Sequence, residues 1–136
     1  MRGVSIIGCG AIGSFVARAI DEGLVPAALR YLMDLDRGRA ERLAASLARQ
    51  RPMIAAGVEE VAADPATEVV VEAASQGAVL QYAERLLEAG KELVVLSVGA
   101  LLRPEGRRIL ERYRGRVHVP SGAVSYTHLR AHETRH

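Results

Sequence analysis

The run Val4-Ser5-Ile6-Ile7-Gly8-Cys9-Gly10-Ala11-Ile12-Gly13 constrains this chain more than any other feature. A short apolar strand runs directly into Gly-x-Gly-x-x-Gly, and a helical pattern follows at once. Each glycine has a mechanical reason to be there. The first lets the chain turn sharply off the strand. The second removes a side chain so that backbone can approach a pyrophosphate, and the third lets the helix pack closely on the strand. The helix N-terminus then directs free N–H groups and a partial positive charge at the phosphates. The fingerprint residues Gly8, Cys9, Gly10, Ala11, Ile12 and Gly13 are therefore the first candidate cofactor contacts.

The length of 136 residues suits one domain, and 49% hydrophobic residues suffice for a core. With no Trp and few other aromatics, that core must be built from Ala, Val, Leu and Ile. Basic and acidic residues are interspersed and nearly balanced, at a net charge of +2. No basic stripe with aromatics within it marks a nucleic-acid surface. A single cysteine, Cys9, excludes an internal disulfide and a cysteine-based zinc site. Met1 leads straight into the first strand with no charged leader before it, and no apolar run is long enough for a membrane span. A cytoplasmic protein is expected.

Strand and helix patterns alternate along the chain. Strands are expected at Val4–Ile7, Leu29–Met33, Met53–Ala55, Val69–Ala73, Glu92–Leu96 and Arg116–Val119. The β-branched run Val69–Val71 reads as a strand buried on both faces. Helices are expected at Ile12–Glu22, Arg37–Arg49, Gln76–Ala89 and from Pro104 to about Tyr113. In the first of these, Ile12, Phe15, Val16, Ala19 and Ile20 fall at core-facing spacing. The alternation predicts an α/β fold, a Rossmann-type doubly wound parallel sheet in a single domain.

Asp34 stands at the carboxyl end of the second strand, about twenty residues past the last fingerprint glycine. A carboxylate there accepts hydrogen bonds from the ribose hydroxyls and repels a 2′-phosphate, which favours NAD. Arg37 and Arg39 follow closely and leave NADP open, since an Arg just past this strand can hold that phosphate. Asp36, two residues on, reads as a helix N-cap. Cys9 reads as a small residue fitting near the cofactor; no second Cys or neighbouring His supports a redox thiol.

Further segments add specificity: Val71-Glu72-Ala73-Ala74-Ser75-Gln76, Tyr82-Ala83, Ala89-Gly90, Val94-Val-Leu-Ser97-Val-Gly99-Ala100 and Pro120-Ser-Gly-Ala123. Small residues just past strand ends leave room for a ligand where open α/β sheets bind one. Taken with the fingerprint, residues 1–123 resemble the amino-terminal domain of the L-aspartate dehydrogenase family. The resemblance implies cofactor contacts at Ala74, Ser75, Ser97, Gly99 and Ala123. It implies oxidation of an amino-acid substrate, L-aspartate, with NAD or NADP, giving iminoaspartate, which hydrolyses to oxaloacetate and ammonia or feeds NAD biosynthesis. It also implies an intact protein that is a homo-oligomer. The family's catalytic His lies in a second domain, so no catalytic residue is expected before Ala123. Two other readings stay open: the cofactor domain of a homoserine or sugar dehydrogenase, and a stand-alone nucleotide-binding module.

Residues 124–136 do not continue the family pattern and resemble a translated sequencing adapter, so they are expected to be non-native. They contain His132-Glu133-Thr134-Arg135-His136, a match to the zinc motif His-Glu-x-x-His, with His128 one turn earlier. A motif at a chain end without a surrounding domain does not make a metal site. His118, in the last strand, is not read as catalytic. Without a second domain, Leu101 and Leu102 are expected to form an exposed apolar patch.

Overall fold

The computed structural model describes residues 1–120. Six strands form one parallel sheet: β1 (Arg2–Ile7), β2 (Ala27–Met33), β3 (Met53–Ile54), β4 (Val69–Glu72), β5 (Glu92–Val95) and β6 (Val117–His118). Their order is β3-β2-β1-β4-β5-β6, the doubly wound arrangement expected from the alternation. Five helices connect them: α1 (Ala11–Asp21), α2 (Arg37–Ser46), α3 (Val58–Ala63), α4 (Gln76–Glu88) and α5 (Pro104–Arg112). Chain order reverses between β1 and β4, which opens a crevice at the carboxyl ends of those strands.

Alternation along β1 divides the core in two. Val4 and Ile6 face a cluster with Ala17 and Ile20 of α1 and Ala40 and Leu43 of α2. Ile7 faces the other side, with Val61 of α3, Val79, Ala83, Leu86 and Leu87 of α4, and Ile109 of α5. Both faces of the sheet are thus covered by helices, as an all-parallel sheet requires. Among the described residues, no helix is long and apolar enough to cross a membrane.

The face of α1 differs from its periodicity. Gly13, Ala17 and Ile20 are buried, whereas Ile12 is 59% and Phe15 74% exposed. The third glycine sets the rotation. A Cβ on Gly13 would lie 1.7 Å from the Gly8 carbonyl oxygen, so this residue must face the strand. Ala17 and Ile20 then follow it inward at helical spacing, and the larger side chains turn out. A second correction concerns Leu101, which is buried, with Leu102 half-buried, in a 3₁₀ turn at Val98–Leu102. Gly106 of α5 packs directly on the Ala100 carbonyl, which covers this turn. Exposed apolar surface lies instead at Ile12, Phe15 and Leu24. Helix α3 has only six residues, too few to display a period, and was not expected from the sequence.

A bulge in β2 organises the polar interior. Val4 pairs with Leu29 and Ile6 with Leu32, so Ser5 alone faces Arg30 and Tyr31. The Tyr31 N–H donates to the Ser5 hydroxyl at 3.1 Å. That hydroxyl lies 2.8 Å from Thr67 Oγ1, which donates to Asp64 Oδ2 at 2.7 Å. Arg30 closes the chain with paired bonds to both Asp64 oxygens, 3.1 and 3.2 Å. The Arg30 guanidinium, with the Thr67 hydroxyl and the Ala66 N–H, holds the Asp64 carboxyl down at about 2 despite burial. The resulting stabilisation, about 2 kcal/mol, is complete above the unfolded-chain value near pH 4 and lost as pH falls through about 2. Asp64→Asn is expected to flatten the fall in melting temperature between those two pH values, as measured by circular dichroism.

Candidate functional site

The glycine turn sits at the carboxyl end of β1. Gly8 has φ +102°, and a Cβ there would come within 2.6 Å of the Ala73 carbonyl. Only glycine meets both demands. Gly10 differs: within 4 Å, an added Cβ would meet only the Arg39 guanidinium, at 3.8 Å. Its empty side faces a cleft of about 550 Å³ lined by Gly8, Gly10, Asp34, Ala73, Ala74 and Ser75 among others. Gly10 is also the N-cap of α1, with no side-chain cap and no acid in the first turn. The leading N–H groups of the helix, including those of Ala11 and Ile12, are left for an anion. The turn therefore fits a pyrophosphate: the backbone cradle is open and a Cβ at position 10 would occupy it.

Asp34 is fixed before any ligand arrives. Its Oδ2 accepts the Cys9 N–H at 2.7 Å, and its Oδ1 accepts the Asp36 N–H at 2.8 Å. Each oxygen keeps a free lone pair at the cleft wall. Arg39 approaches Oδ2 at 4.0 Å and also lines the cleft, while Arg37 is drawn to Glu41 at 3.1 Å. Of the two arginines, Arg39 alone is placed toward the site. Asp36 occupies the N-cap position of α2, but its side chain takes no cap hydrogen bond. The Cys9 thiol is buried, and burial with the Asp34 charge pushes it up to about 11. It donates to the Met33 carbonyl at 3.7 Å and belongs to the core cluster with Ala17, Ile20 and Ala40.

Beyond β4, Ala74 and Ser75 line the cleft, and the Ser75 hydroxyl caps α4 by accepting the Ala78 N–H at 3.0 Å. Ser97 and Gly99 do not line this cleft. The Ser97 hydroxyl donates to Glu72 at 2.7 Å, and Gly99 packs against the Gln76 amide. His118 pairs with Glu92, the first residue of β5, at 3.0 Å. Ala123, and the His-Glu-x-x-His sequence with the rest of 124–136, lie outside the described residues. Two residues at the site were not singled out from sequence. Leu35 is 95% exposed beside Asp34 and presents an apolar side chain to the cleft. Glu72 is a buried carboxylate beneath the β4 and β5 loops. Its signal was an acid closing an otherwise apolar β-branched run.

An open helix N-terminus, a glycine turn and an anchored carboxylate at a topological switch point define a dinucleotide-binding α/β domain. The chain belongs to the family described as homoserine dehydrogenase, NAD binding domain, whose model matches residues 8–116. The nicotinamide dinucleotide expected from the sequence is the cofactor this family's description names. The chain is 40% identical over 125 residues to an L-aspartate dehydrogenase of Methanothermobacter thermautotrophicus, covering 89% of this chain and 47% of that one. It is 37% identical over 124 residues to L-aspartate dehydrogenase 3 of Bordetella bronchiseptica, covering 90% and 44%. The chain spans about half the length of the curated relatives it matches.

Among solved structures, a Lactobacillus casei myo-inositol dehydrogenase in complex with NAD(H) and myo-inositol superposes with a TM-score of 0.78. The identity is 19%, over 88% of this chain and 36% of that one. Biliverdin reductase from Synechocystis with biliverdin and NADP⁺ gives 0.71 at 21% identity, over 86% and 37%. These two likenesses establish the fold.

Proposed function

We propose that this chain is the cofactor-binding half of an NAD(P)-dependent L-aspartate dehydrogenase. The carrying observation is the 40% identity to an L-aspartate dehydrogenase over nearly the whole dinucleotide-binding domain. The geometry supports it. In this reading the first turn of α1 binds the pyrophosphate through backbone N–H groups, and Gly10 gives it access. Asp34 accepts the adenosine ribose hydroxyls, and Leu35 offers an apolar face to the adenine. Ala74 and Ser75 border the nicotinamide half. A bound nicotinamide would supply hydride-acceptor chemistry for the carbon–nitrogen centre of an amino-acid substrate. The groups that bind aspartate and move its proton belong to the other half of such an enzyme, and this chain alone is expected to turn over nothing. A second reading, the corresponding domain of a homoserine dehydrogenase, is supported by the matched family's description.

Calorimetry with NAD and NADP tests the cofactor assignment. Asp34→Ala is expected to weaken NAD about tenfold, the worth of hydrogen bonds to a charged acceptor. The same variant is expected to bind NADP no worse, because the repulsion of a 2′-phosphate goes with the carboxylate. Unchanged NAD affinity in Asp34→Ala would overturn the assignment of the ribose site. The substrate is tested on a longer gene product, by dehydrogenation of L-aspartate against homoserine.

A further inference from the structure

Glu72 ends β4 and is 2% exposed. Its two oxygens collect five donors. Oε2 accepts the N–H groups of Ala74 and Ser75, each at 2.9 Å, and the Ser97 hydroxyl at 2.7 Å. Oε1 accepts the Ser97 N–H at 2.8 Å and shares the Leu96 N–H, at 3.2 Å, with the main-chain carbonyl of Glu72 at 3.0 Å. The donors come from two separate loops, one after β4 and one after β5. No salt bridge reaches this carboxylate among the described residues, so its charge is met by backbone and hydroxyl dipoles alone. A second contact joins the elements that follow these loops, α4 and the 3₁₀ turn. The Gln76 amide lies so close to Gly99 that a Cβ there would fall 2.2 Å from Nε2.

We propose that Glu72 is a positioning residue for the nicotinamide half of the cofactor. The inference rests on the cofactor reading above. The sheet order places Asp34, just past β2, at one side of the switch point and the β4 and β5 loops at the other. A dinucleotide with its ribose on Asp34 and its pyrophosphate on α1 must extend its far half over those loops. Ala74 and Ser75 line the cleft there, and their N–H groups are the ones Glu72 fixes. Glu72 itself is buried beneath and touches no ligand. It acts by setting the height and spacing of the two loops.

The test uses the full chain and two probes, ADP and NADH. ADP reports the adenosine and pyrophosphate together, without the nicotinamide half. NADH reports the nicotinamide through its own fluorescence, which no Trp overlaps, since the chain has none. Glu72→Gln keeps the shape but turns an NH₂ donor on N–H donors. It is expected to leave ADP affinity within about twofold of wild type. NADH affinity should fall about tenfold, and the change in emission on binding should be lost. Should Glu72→Gln fail to fold, Ser97→Ala removes one donor and is expected to shift NADH alone, about threefold. Parallel loss of ADP and NADH would overturn the proposal in favour of a purely structural carboxylate, and so would unchanged NADH binding. A wild-type chain that binds neither probe would instead overturn the cofactor reading, and the proposal with it.

Discussion

Gly10→Val is expected to abolish NAD binding, with a loss of at least about a hundredfold, while the chain stays folded. The first carbon of the new side chain has room. Gly10 has φ −78°, outside the left-handed region that favours glycine, and an added Cβ meets only Arg39 at 3.8 Å. The isopropyl group is expected to project into the cleft that Gly10 lines, over the N–H groups of Ala11 and Ile12. A pyrophosphate cannot reach them without displacing it. The cost to the fold is that of a poorer N-cap, about 1 kcal/mol. Calorimetry should show no NAD binding at concentrations that saturate the wild type. A thermal melt by circular dichroism should stay cooperative and fall by only a few degrees, about 5 °C at most.

Gly13→Val, three residues away, is expected to do the reverse and destroy the fold itself. Its Cβ would lie 1.7 Å from the Gly8 carbonyl oxygen and 2.9 Å from the carbonyl carbon. Both are backbone atoms, so no side-chain rotation relieves the clash. Helix α1 would have to lift from β1, undoing the contacts of Ala17 and Ile20 with Ile6 and Leu32 in the same core cluster. Overpacking of this kind costs about 3 kcal/mol or more where backbone must move. The melting temperature should fall by more than about 10 °C, or the cooperative transition should vanish. The two variants separate two roles that the fingerprint superimposes, ligand access at Gly10 and helix packing at Gly13.

The difference between these glycines could be read in outline from their spacing, and the sheet from its buried runs. Val69–Val71, Glu92–Val95 and the alternation around them predict a doubly wound sheet because β-branched runs between helical periods have few other uses. Asp34 was legible because its distance from Gly13 is set by one helix and one strand of ordinary length. Orientation was not legible. Periodicity put Ile12 and Phe15 inward, but close contact at Gly13 decides the rotation of α1, and a residue without a side chain carries no hydrophobic signal. Leu101 and Leu102 read as an exposed apolar patch because a 3₁₀ turn is too short to show a period, and their cover comes from Gly106 on a later helix. Glu72 was hidden for a different reason. An acid at a strand end usually means solvent, and only the convergence of two loops shows that it is a buried acceptor.

Residue-resolved NMR of the chain, titrated with NAD, addresses the central assignment most directly. Saturable shifts are expected at the amides of Gly10, Ala11 and Ile12, at Leu35 beside Asp34, and at Ala74 and Ser75. These positions come from three separated stretches of sequence that meet only at the crevice between β1 and β4. Shifts absent from the glycine turn, or concentrated instead in the groove around Arg108 and Tyr113 between α4 and α5, would contradict a cofactor site there.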